Sequence, residues 1–299
     1  MGTNITYPPN GVSFEDQMYS VNWAMKNPTF IEKAVNLQLQ GKFISDYIFR
    51  AGNADAGAVV YERTLGVNEK YPLKGDVQII EPGDLFPLVD VGETTKETAS
   101  VDKFGAAVNI TYEAVRRNKK DKVQEAIIKL SNAILRKTDQ RAMAALAADA
   151  DKLVSLAAAG WATAGADPFA DIVTAVGLGE GQELDYNLDT VLINPIDAAK
   201  LLKNKELREQ LPRENASLNP LLSGRLEGLA GLSWIQTNRK AAGSLYILQK
   251  NITGVHAQEL GTYTKNIDEE KYERWRVQGA RVSVPLITDP KSIIEVTGI

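Results

Sequence analysis

The chain has 299 residues, 44% of them hydrophobic and 24% charged, with a net charge of −4 and an isoelectric point near 5.3. These values exclude global disorder and lack the basic excess of a dedicated nucleic-acid binder. The absence of cysteine removes disulfides, thiolate metal sites and cysteine nucleophiles. No apolar run approaches the ~18 residues of a membrane span.

In chain order, residues 1–29 are polar and proline-interrupted, with single apolar anchors at Phe14, Tyr19, Val21 and Trp23. They read as an extended tail lying on a surface, and Met1–Asn10 lacks the basic and apolar regions of a signal peptide. Thr29, with Glu32 three residues on, has the pattern of a helix N-cap. Ile31, Val35 and Leu39 then share a face until Gly41. Between Arg50 and Ser100, two short apolar runs, Ala58–Tyr61 and Val77–Ile80, stand among glycines, prolines and charges. This predicts a long hairpin arm with little apolar surface to close on itself, and an isolated hairpin is marginal in water. A strand follows over Val101–Thr111.

No glycine occurs between Gly105 and Gly160, and no proline between Pro87 and Pro168, which predicts one long helix. Val123, Ile127, Leu130, Ile134 and Leu135 form its apolar stripe. Asp139 falls among the charged residues assigned to its solvated faces. Beyond Gly160 the pattern changes to α/β alternation: helix over Asp171–Val176, buried strand over Thr190–Ile193, and helix from Asp197 to Leu211 entered after Pro195. Residues 212–231 read as loop, and strands follow at Ser233–Gln236 and Ser244–Gln249. A charged alternating strand, Lys271–Val277, continues through Gly279 into Arg281–Ile287, and Lys291–Gly298 reads as one more strand.

Catalytic constellations are sparse. His256 is the sole histidine, too few for a multi-histidine zinc site, and reads as a structural histidine. There is no Gly-x-Ser-x-Gly elbow and no phosphate-binding loop, since Gly41-Lys42 is followed by Phe43. Gly177–Gly181 reads as a flexible loop. The carboxylate pairs Asp149/Asp151 and Asp185/Asp189 have spacings open to magnesium, but solvated turns are the default. No catalytic, cofactor or metal site is assigned. What recurs is apparatus for association: an N-terminal arm, a hairpin arm and a long charged strand, each contact raising the effective concentration for the next.

In this order the elements resemble the major capsid proteins of tailed double-stranded-DNA phages, the Hong Kong 97 type. The resemblance rests on Val191-Leu192-Ile193-Asn194-Pro195 before a helix, Gly231-Leu232-Ser233-Trp234-Ile235 before Ser244–Gln249, and the closing Tyr272–Gly298. It implies an α+β fold with an N-terminal arm, an extended hairpin loop, a spine helix in a peripheral domain and an inserted axial domain. The expected boundaries are 1–49 for arm and short helix, 50–100 for the loop, 101–155 for the peripheral domain with its spine helix, 156–260 for the axial domain and 261–299 for closing strands of the peripheral sheet. It implies a non-enzymatic shell subunit, found in the virion and assembled in the host cytoplasm. Copies would form pentamers and hexamers of an icosahedral head enclosing DNA without sequence-specific binding.

Expected partners are a separate scaffolding protein, since only about thirty residues precede the first helix, together with a portal and a cement protein; no membrane is involved. Some members weld neighbours through a lysine–asparagine bond, for which Lys70, Lys74 and Asn266 are candidates, although no motif supports the reaction. The alternation along Tyr272–Val277 puts Tyr272, Arg274 and Arg276 on one side and Glu273, Trp275 and Val277 on the other. Tyr61, Arg63, Lys70, Lys74, Arg274, Trp275 and Arg276 are the candidate subunit-interface residues. Two alternatives stand beside this: an encapsulin-like compartment on the same fold, and a carboxylate-metal enzyme using Asp185 and Asp189.

Overall fold

The computed structural model describes residues 21–65, 73–74, 79–88, 90–91, 95–163, 165–182, 184–205, 207 and 229–299. Its elements run α1 (Val21–Lys26), α2 (Pro28–Leu39), α3 (Ile44–Ile48), β1 (Arg50–Asn53), β2 (Ala58–Arg63), β3 (Leu73–Lys74), β4 (Asp90–Val91), β5 (Thr95–Ser100) and β6 (Asp102–Thr111). They continue as α4 (Tyr112–Arg116), α5 (Lys120–Ala148), β7 (Leu153–Leu156), α6 (Pro168–Glu180), β8 (Thr190–Ile193), α7 (Pro195–Lys203), β9 (Ser233–Gln236), β10 (Ser244–Leu248), β11 (Gly254–Glu269), β12 (Arg274–Ile287) and β13 (Ile293–Thr297). Two principal sheets result, ordered β1-β11-β12-β6 and β7-β13-β10-β8-β9, with two-stranded pairings β2-β5 and β3-β4.

The N-terminal elements depart from the local reading. Val21–Lys26 is helical, with Val21, Ala24 and Met25 buried, rather than extended; Phe14 and Tyr19 lie outside the described residues. α2 begins two residues earlier than the Thr29 cap predicts: Asn27 is the N-cap, without a side-chain capping bond, and Pro28 occupies the first turn, where its missing N–H is no loss. The expected face is nonetheless the buried one, through Ile31, Val35 and Leu39, and Gly41 ends the segment at φ +70°.

The long helix is 29 residues, about 44 Å at 1.5 Å per residue, and is preceded by the separate short helix α4. The break falls at Asn118, φ +48°, a residue type that tolerates the left-handed region. Its Oδ1 accepts from Val21 N at 2.9 Å, tying α1 to the break. All five predicted stripe residues are buried. The N-terminal half of α5 packs with α2, Ile110 and Val277 in one cluster. Its C-terminal half, through Ala142, Met143 and Leu146, joins Leu192, Tyr246, Leu248 and Ile293 of the second sheet. The other face of that sheet packs Val191, Ile193, Leu245 and Ile294 against Ile172, Ala175, Ala198 and Leu201 of α6 and α7.

Further readings are corrected by tertiary pairing. The partner of β2 is the polar run Thr95–Ser100; Ile79 and Ile80 are in no strand, and Val77 lies outside the described residues. Gly177–Gly181 is the last turn and cap of α6, with Gly179 pressed so closely that a Cβ there would lie 2.7 Å from Leu188 Cδ1. α7 is capped at Asn204, and the expected helix end at Leu211 lies outside the described residues. Lys271 and Tyr272 belong to a 3₁₀ turn, and the strand starts at Arg274 after Glu273 at φ +47°. The closing strand β13 leaves the peripheral sheet to pair with β10 and β7. β11, sixteen residues long and central in the first sheet, has no strand signal of its own, because its burial is irregular and two register shifts interrupt it.

The helix meets the sheet closely at Gly279 of β12, where a Cβ would stand 3.0 Å from Leu130 Cδ2 and Ile134 Cδ1. Leu130→Ala is expected to cost about 3 kcal/mol through lost burial and a cavity. Gly279→Ala should cost less, about 1 kcal/mol, since only side-chain ends need shift. Urea unfolding of dissociated subunits followed by circular dichroism measures both, and equal losses would contradict this packing.

Candidate subunit-contact surfaces

The hairpin arm is fixed at its root and open beyond it. Val59, Tyr61 and Ala99 pack on Ala54, Ala257, Val284 and Leu286. Tyr61 Oη donates to Glu97 Oε2 at 2.8 Å, and Arg63 Nη1 to Glu97 Oε1 at 2.9 Å. The second arm of the same guanidinium reaches Asp149 at 2.8 Å and Asp151 at 3.1 Å, just past the end of α5. Arg63 and Asp149 are both nearly buried, at 12% and 6% side-chain exposure, so each is the other's compensation in a poorly solvated place. Burial first, then the hydrogen bond to Glu97, pushes the Tyr61 hydroxyl up to about 12. The bonds from Arg63 and then Tyr61 hold Glu97 below the usual carboxylate range. Tyr61 and Arg63 are thus engaged within their own chain.

Beyond this root the described part of the arm turns apolar side chains outward: Leu85 is 94% exposed, Phe86 84% and Leu88 102%. Lys70 lies outside the described residues. Lys74 is placed by its backbone, opposite Asp90 in the β3-β4 pairing.

At the far end of the first sheet, Glu269 serves two arginines. Arg274 Nε donates to its Oε2 at 2.6 Å, and Arg276 Nε lies 3.0 Å from Oε1. A carboxylate for both arginines is therefore supplied within the chain, at the end of β11. Two guanidiniums share one carboxylate and stay 27% and 35% exposed. Trp275 packs with Val277 on the helix cluster, and Arg274 stacks on the exposed Tyr272 ring at 4.7 Å. Asn266, foreseen as a cross-linking partner, donates to Met25 O at 3.0 Å and so holds α1 on β11.

A second charged centre, invisible in the sequence, joins α3 to both the helix and the sheet. His256 Nδ1 lies 3.0 Å from Asp46 Oδ1 and its Nε2 3.1 Å from Ser283 Oγ, and Arg281 reaches Asp46 at 3.3 Å. Beside them Asp139 is buried, not solvated as its helix position suggested. Its Oδ1 accepts from the backbone N–H of Ile44 and Ser45, capping α3 from another element. Burial dominates and pushes the Asp139 carboxyl up to about 6, against the pull of those two N–H groups and of Arg239.

The metal-site alternative finds no support in these positions. Asp149 lies under Arg63, and Asp189 Oδ1 accepts from Lys250 N and Thr190 Oγ1, both at 2.9 Å. Asp185 sits at φ +53° in the segment between α6 and β8. Among the described residues no three potential metal-ligating side chains cluster.

A family model described as phage capsid protein matches residues 94–296. No curated sequence matches the chain. Among solved structures, the capsid of the cyanophage P-SCSP1u is similar at 14% identity and TM-score 0.63, covering 84% of this chain and 86% of that one. The virus-like particle from Pyrococcus furiosus is similar at 12% identity and TM-score 0.58, covering 89% and 97%. The mature capsid of bacteriophage PhiM1 is similar at 11% identity and TM-score 0.57, covering 85% and 86%.

Two measurements probe the charged centres. Arg63→Ala leaves Asp149 buried beside Asp151 and is expected to destabilise the subunit by about 3 kcal/mol. It should speed amide exchange across β2 and β5, and exchange unchanged from wild type would show that Arg63 does not hold the root. For Asp139, folding raises an acid's pKa, so the stability it contributes is full below about pH 4 and is lost as pH rises through about 6. Asp139→Asn keeps an acceptor for Ile44 and Ser45 and should be more stable than wild type at pH 7.5 by about 2 kcal/mol. The difference should shrink toward pH 4 in urea titrations; a variant less stable than wild type at pH 7.5 would refute the assignment.

Proposed function

The chain belongs to the phage capsid protein family, a structural and non-catalytic role, and from that footing we propose that it is the repeating shell subunit of a tailed-phage head. Copies of it close into pentamers and hexamers of an icosahedral container around double-stranded DNA, assembled in the host cytoplasm. A separate scaffolding protein and a portal are the partners this reading calls for, and a cement protein is an optional third. The observation that carries it is the arm: a root pinned by Arg63 to the long helix, and a distal stretch with Leu85, Phe86 and Leu88 in solvent. A lone soluble subunit gains nothing by exposing such side chains, whereas a subunit surrounded by copies buries them.

Within this reading, Lys70, Lys74, Arg274, Trp275 and Arg276 lie at contacts between copies. Tyr61 and Arg63 belong there through the arm root they hold. The motive at the sheet end is charge: among the described residues Arg274 and Arg276 share the carboxylate of Glu269, leaving an excess guanidinium for a neighbour's carboxylate. An encapsulin-like compartment would use the same contacts around a protein cargo, and what co-purifies with the particles, DNA or protein, separates the two.

Negative-stain electron microscopy of the purified chain, alone and with its scaffolding protein, is expected to reveal closed shells. Arg274→Ala/Arg276→Ala should cost about 2 kcal/mol or more per contact. Repeated around every ring, that loss should abolish particles while circular dichroism and size exclusion report a folded, soluble subunit. Normal particles from this variant would remove the strand from the interface.

A further inference from the structure

The chain delivers an acid-bearing segment to the edge of a basic groove. Residues 1–20 contain no lysine or arginine and two acids, Glu15 and Asp16, set among the apolar Phe14, Met18 and Tyr19. They lie outside the described residues, and the first described residue, Val21, is fixed: its N–H donates to Asn118 Oδ1 at 2.9 Å. Asn118 stands in the junction of α4 and α5, Arg116-Arg117-Asn118-Lys119-Lys120-Asp121-Lys122, five bases against one acid. Ser20, bonded to Val21, therefore starts beside this junction.

The junction walls a groove of about 420 Å³, whose other side is residues 108–111 of β6. Successive residues of a strand point to opposite faces, so a groove touching all four runs along the strand's edge. Among the described residues β6 is the terminal strand of its sheet, and its outer row of backbone N–H and C=O groups is open to an added extended segment. Arg117, Lys119, Lys122 and Lys129 line the groove, with Ala114 and Ala126 as apolar floor. Two acids also line it: Glu113, and Glu125, which is held by Lys129 at 2.6 Å and Lys122 at 3.7 Å. The groove is left with an excess of two positive charges, which Glu15 and Asp16 match in number.

We propose that residues 14–20 lie in this groove of their own chain as an added strand on β6, parallel to it, and close its open edge. The direction follows from the tether. α4 begins directly after β6, so Ser20 enters at the Thr111 end and the segment runs back toward Val108 and Lys129. Six steps of 3.3 Å from residue 20 to residue 14 give about 20 Å, enough to span the roughly 15 Å of helix from Lys119 to Lys129. Phe14 and Met18 share one face of such a strand and supply buried area over the alanine floor. Glu15 and Asp16 fall among Lys122 and Lys129, which fixes register more than it adds affinity. The short tether holds the segment at about millimolar effective concentration, so a contact too weak for a free peptide is sufficient. Added salt loosens it, because its charges sit near the surface. The docking is a property of the single subunit and stands apart from the shell reading.

The absence of cysteine makes a direct test clean. Gln17→Cys/Asn109→Cys alters no charge and puts the two thiols on neighbouring strands. Dilute, dissociated subunits of this variant, checked for folding by circular dichroism, are treated with a short bismaleimide. Denaturing gels are expected to show a monomer of altered mobility carrying an internal link, with each single-cysteine variant giving none. Covalent dimers in place of that monomer would assign the segment to a second copy and overturn the proposal, and folded subunits without any link would overturn it too. In a second arm free of engineered cysteines, Glu15→Lys/Asp16→Lys should speed amide exchange at residues 108–111 at least tenfold over wild type. Equal rates in the two chains would refute the docking. Wild-type subunits that bind random duplex DNA at physiological salt, and lose that binding in Arg117→Glu/Lys119→Glu, would show the groove open to nucleic acid and also refute it. All three measurements use dissociated subunits, so their outcome is independent of whether particles form.

Discussion

The constraint on which the molecule depends is that one helix must bury its apolar stripe against two sheets at once. α5 runs from the four-stranded sheet, where Leu130 and Ile134 press on Gly279, to the five-stranded sheet, where Ala142, Met143 and Leu146 meet Tyr246 and Ile293. Among the described residues neither sheet has a second helix of that length to cover it, so the helix sets their separation and mutual orientation. A glycine at 279 follows from this, because the backbones approach where any larger residue would push a stripe residue off its place. The small residues near the C-terminal end of α5, Ala142 among them, play the same part toward the second sheet.

Charges then decide what is attached to this frame and how firmly. The end of α5 would carry two carboxylates, Asp149 and Asp151, in mutual repulsion; Arg63 answers both and in doing so moors the hairpin arm. Midway along, Asp139 faces inward and holds the first turn of α3 by its N–H groups, although burial makes its charged form unfavourable. The neighbouring Asp46, His256, Arg281 and Ser283 connect the same short helix to β11 and β12. A helix of five residues is far too short to persist alone, and these contacts supply what its own length does not.

The division between a tightly tied root and an outward-facing continuation suits a subunit that must fold first and associate afterwards. Apolar side chains packed within the chain define the subunit, and Leu85, Phe86 and Leu88 are exposed among the described residues. Many contacts of moderate strength, each satisfied in every copy, let a closed assembly form without any one interface trapping a wrong geometry.

Read alone, the sequence determined whatever rests on neighbours three or four positions away. The stripe of α5, the buried strand Thr190–Ile193, the helix entered at Pro195, and the order of elements that resembles a capsid subunit were all legible there. Tertiary structure alone decided what rests on distant partners. β5 and β11 are strands although their own residues are polar or irregular, because β2 and β12 provide their hydrogen bonds. β13 joins the second sheet rather than the first because β10 offers its edge. Asp139 turns inward because α3 needs an acceptor. Arg63 and Asp149 are 86 positions apart, and Asp46 and His256 are 210 apart. Periodicity and capping are local and leave a trace in the string, whereas charge pairing and strand partnership are set by which surfaces the packed helix brings within reach.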